Sequence, residues 1–253
     1  MNTPLSALLA LLAAATLTAG CRTGGATPPP GGPEPALYTL VYLRTGDAPP
    51  DLSPERRSEL FTGHFAFMSS EAEARRLLLA GPFGAEKAAD DLRGLFLYDE
   101  PDPAVALAHA ASDPTTGAGV FRQEAFPLAT SSVLRTIPDL EQARQEARAA
   151  AGEDMGSPDI QSYALLVADD GEAAADLIAH PALSSHVVLF GRMGAPRDGA
   201  LFAVLSLADL DEVRARLKIA GTAGIDVELS EWFATPALLE LRDAWTAPAD
   251  GAG

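Results

Sequence analysis

The feature that most constrains the fold is a pattern of strands and helices that occurs twice along the chain. Residues 36–126 read as strand, helix, strand, strand, helix and strand, and residues 160–233 read the same way. Residue types also recur at matching positions of the two parts, in the pairs Gly81 and Gly191, Gly84 and Gly194, Val105 and Val213, Gly117 and Gly224, Val120 and Val227, Glu124 and Glu231, and Phe126 and Phe233. Agreement in order, spacing and type indicates an internal duplication.

Apolar runs between turn residues place the elements of both copies. In the first copy we expect a strand at 36–43, a helix over 53–79 that leads through LLLAGPF into a strand, a strand at 94–99, a helix at 103–111 and a strand at 117–126. In the second copy we expect strands at 160–168, 186–194, 200–207 and 224–233, with helices at 171–180 and 210–220. Each copy therefore predicts a ferredoxin-like βαββαβ unit, in which two helices cover one face of a four-stranded antiparallel sheet.

The first strand indicates that the other face of each sheet must be buried as well. It carries large apolar side chains on both sides, namely Leu37, Val41 and Leu43 on one and Tyr38, Leu40 and Tyr42 on the other. Packing the two sheets against each other buries both remaining faces within one chain. We therefore expect an α+β fold of two tandem ferredoxin-like repeats whose antiparallel sheets pair as an intrachain dimeric α/β barrel. Such internal pairing predicts a monomer.

The N-terminal segment predicts export and lipid attachment. An apolar run at residues 5–17 ends in small residues before Cys21, the only cysteine, and it is shorter than the roughly 20 residues that span a bilayer. The sequence Thr18-Ala19-Gly20-Cys21 is similar to a bacterial lipoprotein signal. The similarity implies a lipid on Cys21 and a location in the bacterial cell envelope, anchored in a membrane and facing the periplasm or the exterior. An ordinary cleaved signal and an uncleaved anchor remain alternatives.

Composition then divides the rest of the chain. We expect a signal peptide at 1–20, a Gly/Pro-rich tether at 21–35, a first domain at 36–130, a connecting helix within 131–158, a second, degenerate domain at 159–238 and a tail at 239–253. In the connecting helix, Asp139 is the expected N-cap and Gly152 the expected stop.

Charge and cysteine content exclude several classes of function. The net charge of −17 makes nucleic acid an improbable partner, because affinity for phosphate backbones comes mainly from clustered Lys and Arg. A lone cysteine excludes an internal disulfide, a Cys-rich zinc site and a CxxC redox pair. His180 and His186 lie near Asp176, but their spacing does not suit a metal site. We expect no metal and no cofactor.

A histidine on an apolar helix face is the first candidate for chemistry. Ser53 is the expected N-cap of this helix and Pro54 its first residue, and one face then carries Leu60, His64, Phe67 and Met68. From periodicity alone, His64 is more often a core residue than a catalytic one. Asp113 is ambiguous in the same way, because Asp-Pro commonly begins a turn.

The order of His64, Gly81-Pro82 and Asp113-Pro114 along the chain resembles that of the YciI (YCII-related) family, over most of residues 36–128. The resemblance implies that His64 and Asp113 pair in a cleft between helix and sheet and act as acid–base residues. A carboxylate bonded to one nitrogen of an imidazole fixes the tautomer and makes the other nitrogen a better base. Such a pair would suit an isomerase or lyase acting on a small organic molecule.

The second copy lacks this pair. Ala174 stands opposite His64, and Ala220 or Gly221 stands opposite Asp113. His180 could replace His64 only if its helix were shifted by about six residues. The second copy is thus expected to cover the sheet.

Two further side chains have alternative roles. Trp232 could form a wall of the pocket, although a large aromatic is more often plain core. Arg122 could bind an anionic ligand or pair with a surface carboxylate. Two functions remain open: an acid–base enzyme, and a lipoprotein that binds a small ligand or acts as a scaffold without turnover.

Overall fold

The computed structural model describes residues 35–46, 51–154, 159–222 and 224–241. The expected signal peptide, the tether with Cys21 and all but the first residues of the tail lie outside this range. None of the helices in the described ranges is both long enough and apolar enough to cross a membrane.

Strands and helices are interspersed along the described chain. In the first half they are β1 (Pro35–Thr45), α1 (Pro54–Glu73), β2 (Leu77–Pro82), β3 (Leu92–Tyr98), α2 (Pro103–Ala110), α3 (Pro114–Gly117) and β4 (Phe121–Ser131). A 3₁₀ helix (Ser132–Thr136) and α4 (Ile137–Ala150) follow. The second half contains β5 (Gln161–Ala168), α5 (Gly171–Ala179), α6 (Pro181–Ser184), β6 (Val187–Met193), β7 (Leu201–Leu205), α7 (Leu210–Ala220) and β8 (Glu228–Ala234).

All eight of these strands join one antiparallel sheet in the order β2-β3-β1-β4-β6-β7-β5-β8. The halves meet where Leu128 of β4 pairs with Met193 of β6. The outer edges also approach each other: the Trp232 indole N–H donates to the Gly81 carbonyl at 3.1 Å, and Phe83 forms an isolated bridge with Trp232. The sheet is therefore a nearly closed barrel in a mixed α/β fold. A barrel built from both halves was expected, and the halves join edge to edge in one continuous sheet.

The core inside this barrel draws on both halves. Inward side chains of β1 and β5 are buried in one cluster, namely Tyr38, Leu40, Tyr42, Tyr163, Leu165 and Val167. Outside the sheet, α1 and α2 cover the first half around Val41 and Phe96, and α5 to α7 cover the second half around Leu166 and Ala203. Both faces of β1 are buried over residues 38–43, as the apolar pattern of the first strand predicts, whereas Leu37 near the start of the strand is 53% exposed.

The first helix is shorter than predicted. It ends at Glu73, and Arg75 adopts a positive φ of 56°. The expected helix over 53–79 is wrong at its C-terminal end because Leu77 and Leu79 pair with β3 and are buried. No glycine or proline marks this change of direction in the sequence.

The last strand of each half begins later than predicted. Strand β4 starts at Phe121, not at residue 117, because Gly119 adopts a positive φ of 73° in a turn. Strand β8 covers 228–234, not 224–233. Phe126 points into the barrel core whereas Phe233 does not, so the expected match between these two residues is wrong.

The connecting helix α4 begins two residues before the expected N-cap. Its N-cap is Thr136, and Asp139 lies in the first turn, paired with Arg75. Its predicted end is confirmed. Gly152 has a φ of 72°, its N–H donates to the Ala149 carbonyl, and the next N–H, of Glu153, donates to the Arg148 carbonyl, the two bonds of a Schellman motif.

Candidate functional site

Helix α1 carries His64 to the outer face of the first half of the sheet. The helix begins as the sequence predicts: the Ser53 hydroxyl accepts a hydrogen bond from the Arg56 N–H at 3.2 Å, and Pro54 follows at the first position. Leu60 and His64 lie on the buried face of the helix, and His64 is 7% exposed.

Asp113 is fully buried at the start of α3, where it acts both as a helix cap and as the partner of the histidine. Its Oδ1 accepts hydrogen bonds from the Thr115 N–H at 2.9 Å and the Thr115 hydroxyl at 2.7 Å. Its Oδ2 lies 2.7 Å from Nδ1 of His64. The local turn therefore uses one carboxylate oxygen and leaves the other for His64. Thr115, also fully buried, was not recognised from the sequence, although an aspartate that begins a turn commonly accepts a hydrogen bond from the backbone N–H two residues on.

The environment of Asp113 keeps this carboxyl ionised. Burial by itself raises its pKa, but hydrogen bonds from His64 and Thr115 outweigh that effect and hold the pKa below its ordinary value. A carboxylate only accepts hydrogen bonds, so Nδ1 of His64 carries the proton in this pair. In the neutral imidazole, Nε2 then has a free lone pair. It bonds to no group among the described residues.

Four phenylalanine rings surround the imidazole. The spacing of apolar residues along the sequence does not identify any of them as part of a site. Phe96 on β3 stacks on the His64 ring at a centroid distance of 6.0 Å. Phe61, Phe65 and Phe121 approach edge-on or tilted at 5.5–6.0 Å. Phe65 is 58% exposed, so the surface around the imidazole is aromatic and partly open to solvent.

Two shallow depressions lie on the N-terminal half of α1. One is lined by Pro54, Glu55, Ser58, Glu59 and Thr62, and the other, here named the Phe61 depression, is lined by Leu52, Pro54, Arg57, Ser58 and Phe61. Neither is lined by His64 or Asp113. The Phe61 depression adjoins the pair through Phe61, whose ring lies 6.0 Å from the imidazole.

In the second half, the corresponding positions contain no such pair. Ala174 is fully buried in α5, and Gly221 ends α7 in the left-handed conformation. His180 caps α6, where its Nδ1 accepts a hydrogen bond from the Ala182 N–H at 3.1 Å. It does not occupy the place that His64 has on α1.

The remaining candidates have structural contacts. Trp232 is 1% exposed in the barrel core, which confirms the core interpretation. Arg122 donates to Asp91 at 2.7 Å, so it pairs with a surface carboxylate. Within the described ranges, His, Cys, Asp and Glu do not form a group of three that could hold a metal ion.

Comparison with known proteins shows distant similarity of structure only. No family model and no curated protein matches the sequence. A provisionally assigned chlorite dismutase has 9% identity and a TM-score of 0.48, over 83% of this chain and 99% of its own. A provisionally assigned monooxygenase from Lactobacillus acidophilus has 14% identity and a TM-score of 0.41, over 79% and 96%. Both are too distant to assign an activity here, and the YciI resemblance stays a prediction.

Proposed function

We propose that this protein is an acid–base enzyme that acts on a small organic molecule, with Nε2 of His64 as the atom that moves the proton. The observation that carries the proposal is the 2.7 Å contact between Asp113 Oδ2 and His64 Nδ1. It leaves Nε2 as the available nitrogen, next to a partly exposed aromatic surface. Asp113 is a positioning residue, because it holds the ring and its tautomer.

The proposed reaction is either an isomerisation, which consists of two proton transfers, or an elimination, which consists of one proton transfer from carbon and the loss of a leaving group. Nε2 accepts a proton from a carbon next to a carbonyl group, and the electron pair of that C–H bond moves into the enolate. Return of the proton to another carbon gives an isomer. In an elimination, the enolate instead forms a double bond to the neighbouring carbon, the leaving group on that carbon departs with its bonding electron pair, and the imidazolium donates the proton to it. Ionised Asp113 stabilises the imidazolium formed in between. The imidazole alone performs both transfers, so the proposal requires no cofactor.

We further propose that the fold is an intrachain pair of tandem ferredoxin-like repeats related to the YciI family. Its support is the strand order, since β2-β3-β1-β4 in the first half corresponds to β6-β7-β5-β8 in the second. Attachment to a membrane lipid through Cys21 is proposed from the sequence of residues 5–21. Labelling with a radioactive fatty acid in a bacterial host tests it: the wild-type chain incorporates label and Cys21→Ser does not.

A second function, that of a ligand-binding or scaffolding lipoprotein without turnover, is favoured by one observation. His64 is only 7% exposed, and neither depression on α1 is lined by His64 or Asp113.

Proton exchange distinguishes the two functions. Compounds are first selected by a thermal-shift screen, because a ligand that binds the folded state raises the Tm. Each hit is then incubated in D₂O with wild type, His64→Gln or His109→Gln, and exchange of its carbon-bound protons is followed by NMR. The acid–base enzyme predicts exchange with wild type and with the control His109→Gln, and at least about 100-fold less with His64→Gln. Hits that bind without exchange, or exchange that is unchanged in His64→Gln, would contradict it.

A further inference from the structure

The Phe61 depression has an unusual charge for this protein. Its lining contains Arg57 and no carboxylate, although the chain has 35 acidic and 18 basic residues. The depression next to it contains two acids, Glu55 and Glu59. A negatively charged ligand would therefore favour the Phe61 depression over its neighbour.

Arg57 has no ion-pair partner in the described part of the chain, in contrast to the arginine before it. Arg56 donates to Glu59 at 2.6 Å, whereas the ion pairs of the described residues do not include Arg57. A guanidinium presents paired N–H donors that match the two oxygens of a carboxylate. As far as the described residues are concerned, Arg57 is thus free to bind an anion from solution.

The geometry of α1 connects Arg57 to His64. Residues 57, 61 and 64 are spaced i, i+4 and i+7 and therefore share one face of the helix. Seven residues of helix rise by about 10 Å. Phe61 lies between the two ends, with its ring 6.0 Å from the imidazole and 6.0 Å from the ring of Phe121. An aromatic side chain therefore separates the positions of Arg57 and His64 on this face of the helix.

From this arrangement we propose that the site takes a monocarboxylic acid with an apolar ring at its other end. The carboxylate binds Arg57 and the ring packs on Leu52 and Phe61, which places the ring at the edge of the aromatic surface around His64. This inference goes beyond the proposed function: it names a class of bound anion and the residue that selects it, and it assigns no reacting atom.

The test measures binding of 4-phenylbutyrate and of the uncharged 4-phenylbutyramide to the full chain by NMR titration at low salt. Wild type is expected to bind the acid with a Kd of order 1 mM, as a ligand of this size allows, and several-fold more tightly than the amide. Arg57→Gln removes that preference, with about a three- to fivefold loss for the acid because the arginine is exposed. The matched control Arg56→Gln retains it. Both substitutions are at exposed positions, and an unchanged Tm confirms that the variants fold.

Three results would overturn the inference: equal binding of acid and amide by wild type, equal losses in Arg56→Gln and Arg57→Gln, or no binding of either probe at about ten times the expected Kd. Failure of this inference differs from failure of the proposed function. Arg57-dependent binding of the acid, with no compound that shows His64-dependent exchange, retains the carboxylate site and contradicts the enzyme. His64-dependent exchange of a compound, with acid binding that is unchanged in Arg57→Gln, retains the enzyme and contradicts the carboxylate site.

Discussion

At the residue scale, Asp113 combines two roles that the sequence presented as alternatives. The Asp-Pro turn exists, because Oδ1 caps α3 through Thr115. The contact with His64 exists as well, because the other oxygen points away from the turn. A carboxylate has enough acceptor sites for both. A residue with a strong local explanation can therefore also belong to a site.

Replacing Asp113 with Asn is expected to lower the free energy of unfolding by about 2–3 kcal/mol at pH 7, since it removes a buried, hydrogen-bonded charge. The difference in free energy of unfolding between Asp113→Asn and wild type should depend on pH. The pKa of Asp113 is lowered in the folded protein, so its contribution is fully present above the ordinary value of about 3.9 and is lost as pH falls through the folded pKa. Urea unfolding between pH 7 and pH 3 measures this difference. A difference that stays constant over this range would contradict the assigned direction.

At the element scale, the near closure of the barrel depends on a close approach between the outer strands. A Cβ on Gly81 of β2 would lie 1.7 Å from the Phe233 carbonyl oxygen of β8, and the Gly81 carbonyl accepts the Trp232 indole N–H. Backbone atoms cannot move aside as a flexible side chain can. Glycine is therefore required at this position by the neighbouring strand, not by its own conformation.

Gly81→Ala is expected to cost about 1–3 kcal/mol of unfolding free energy, the usual range for forcing an atom into a packed region. Gly117→Ala is the matched control, because a Cβ there meets no atom within 4 Å, and its effect should remain within about 1 kcal/mol. Chemical denaturation measures both, and hydrogen exchange shows whether amides of β2 and β8 lose protection. Equal effects of the two substitutions would mean that the close approach does not stabilise the fold.

At the scale of the whole molecule, the two halves share one interior. Leu40 of β1 and Leu165 of β5 are 1% and 2% exposed and belong to the same cluster inside the barrel. Neither half can bury its inner face without the other. The described chain should therefore unfold as one cooperative unit.

Leu40→Ala and Leu165→Ala are each expected to destabilise this single transition by about 2–5 kcal/mol, because each leaves a cavity in the shared core. Hydrogen exchange with mass spectrometry measures amide exchange in each half separately. Under mild denaturant, either substitution should increase exchange in β1 and in β5 together. If Leu40→Ala increased exchange only in the first half, the halves would be independent domains, as the predicted division at 131–158 suggests.

The sequence by itself determined the local features of this protein. Apolar side chains on both faces of β1 predicted burial on both sides, Ser53 and Pro54 predicted the start of α1, and Gly152 predicted the end of α4. Each depends on a few neighbouring residues and on backbone preferences that hold in any fold. The resemblance of the His64 and Asp113 positions to a known family proposed the pair, which periodicity alone did not.

Only the tertiary structure decided the features that depend on distant partners. The end of α1 near Arg75 and the junction of Leu128 with Met193 follow from strand pairing. The aromatic rings around His64 come from α1, β3 and β4, and no spacing along the chain brings them together. Strand pairing and packing select among local conformations of similar free energy, and that selection is made only when the whole chain folds.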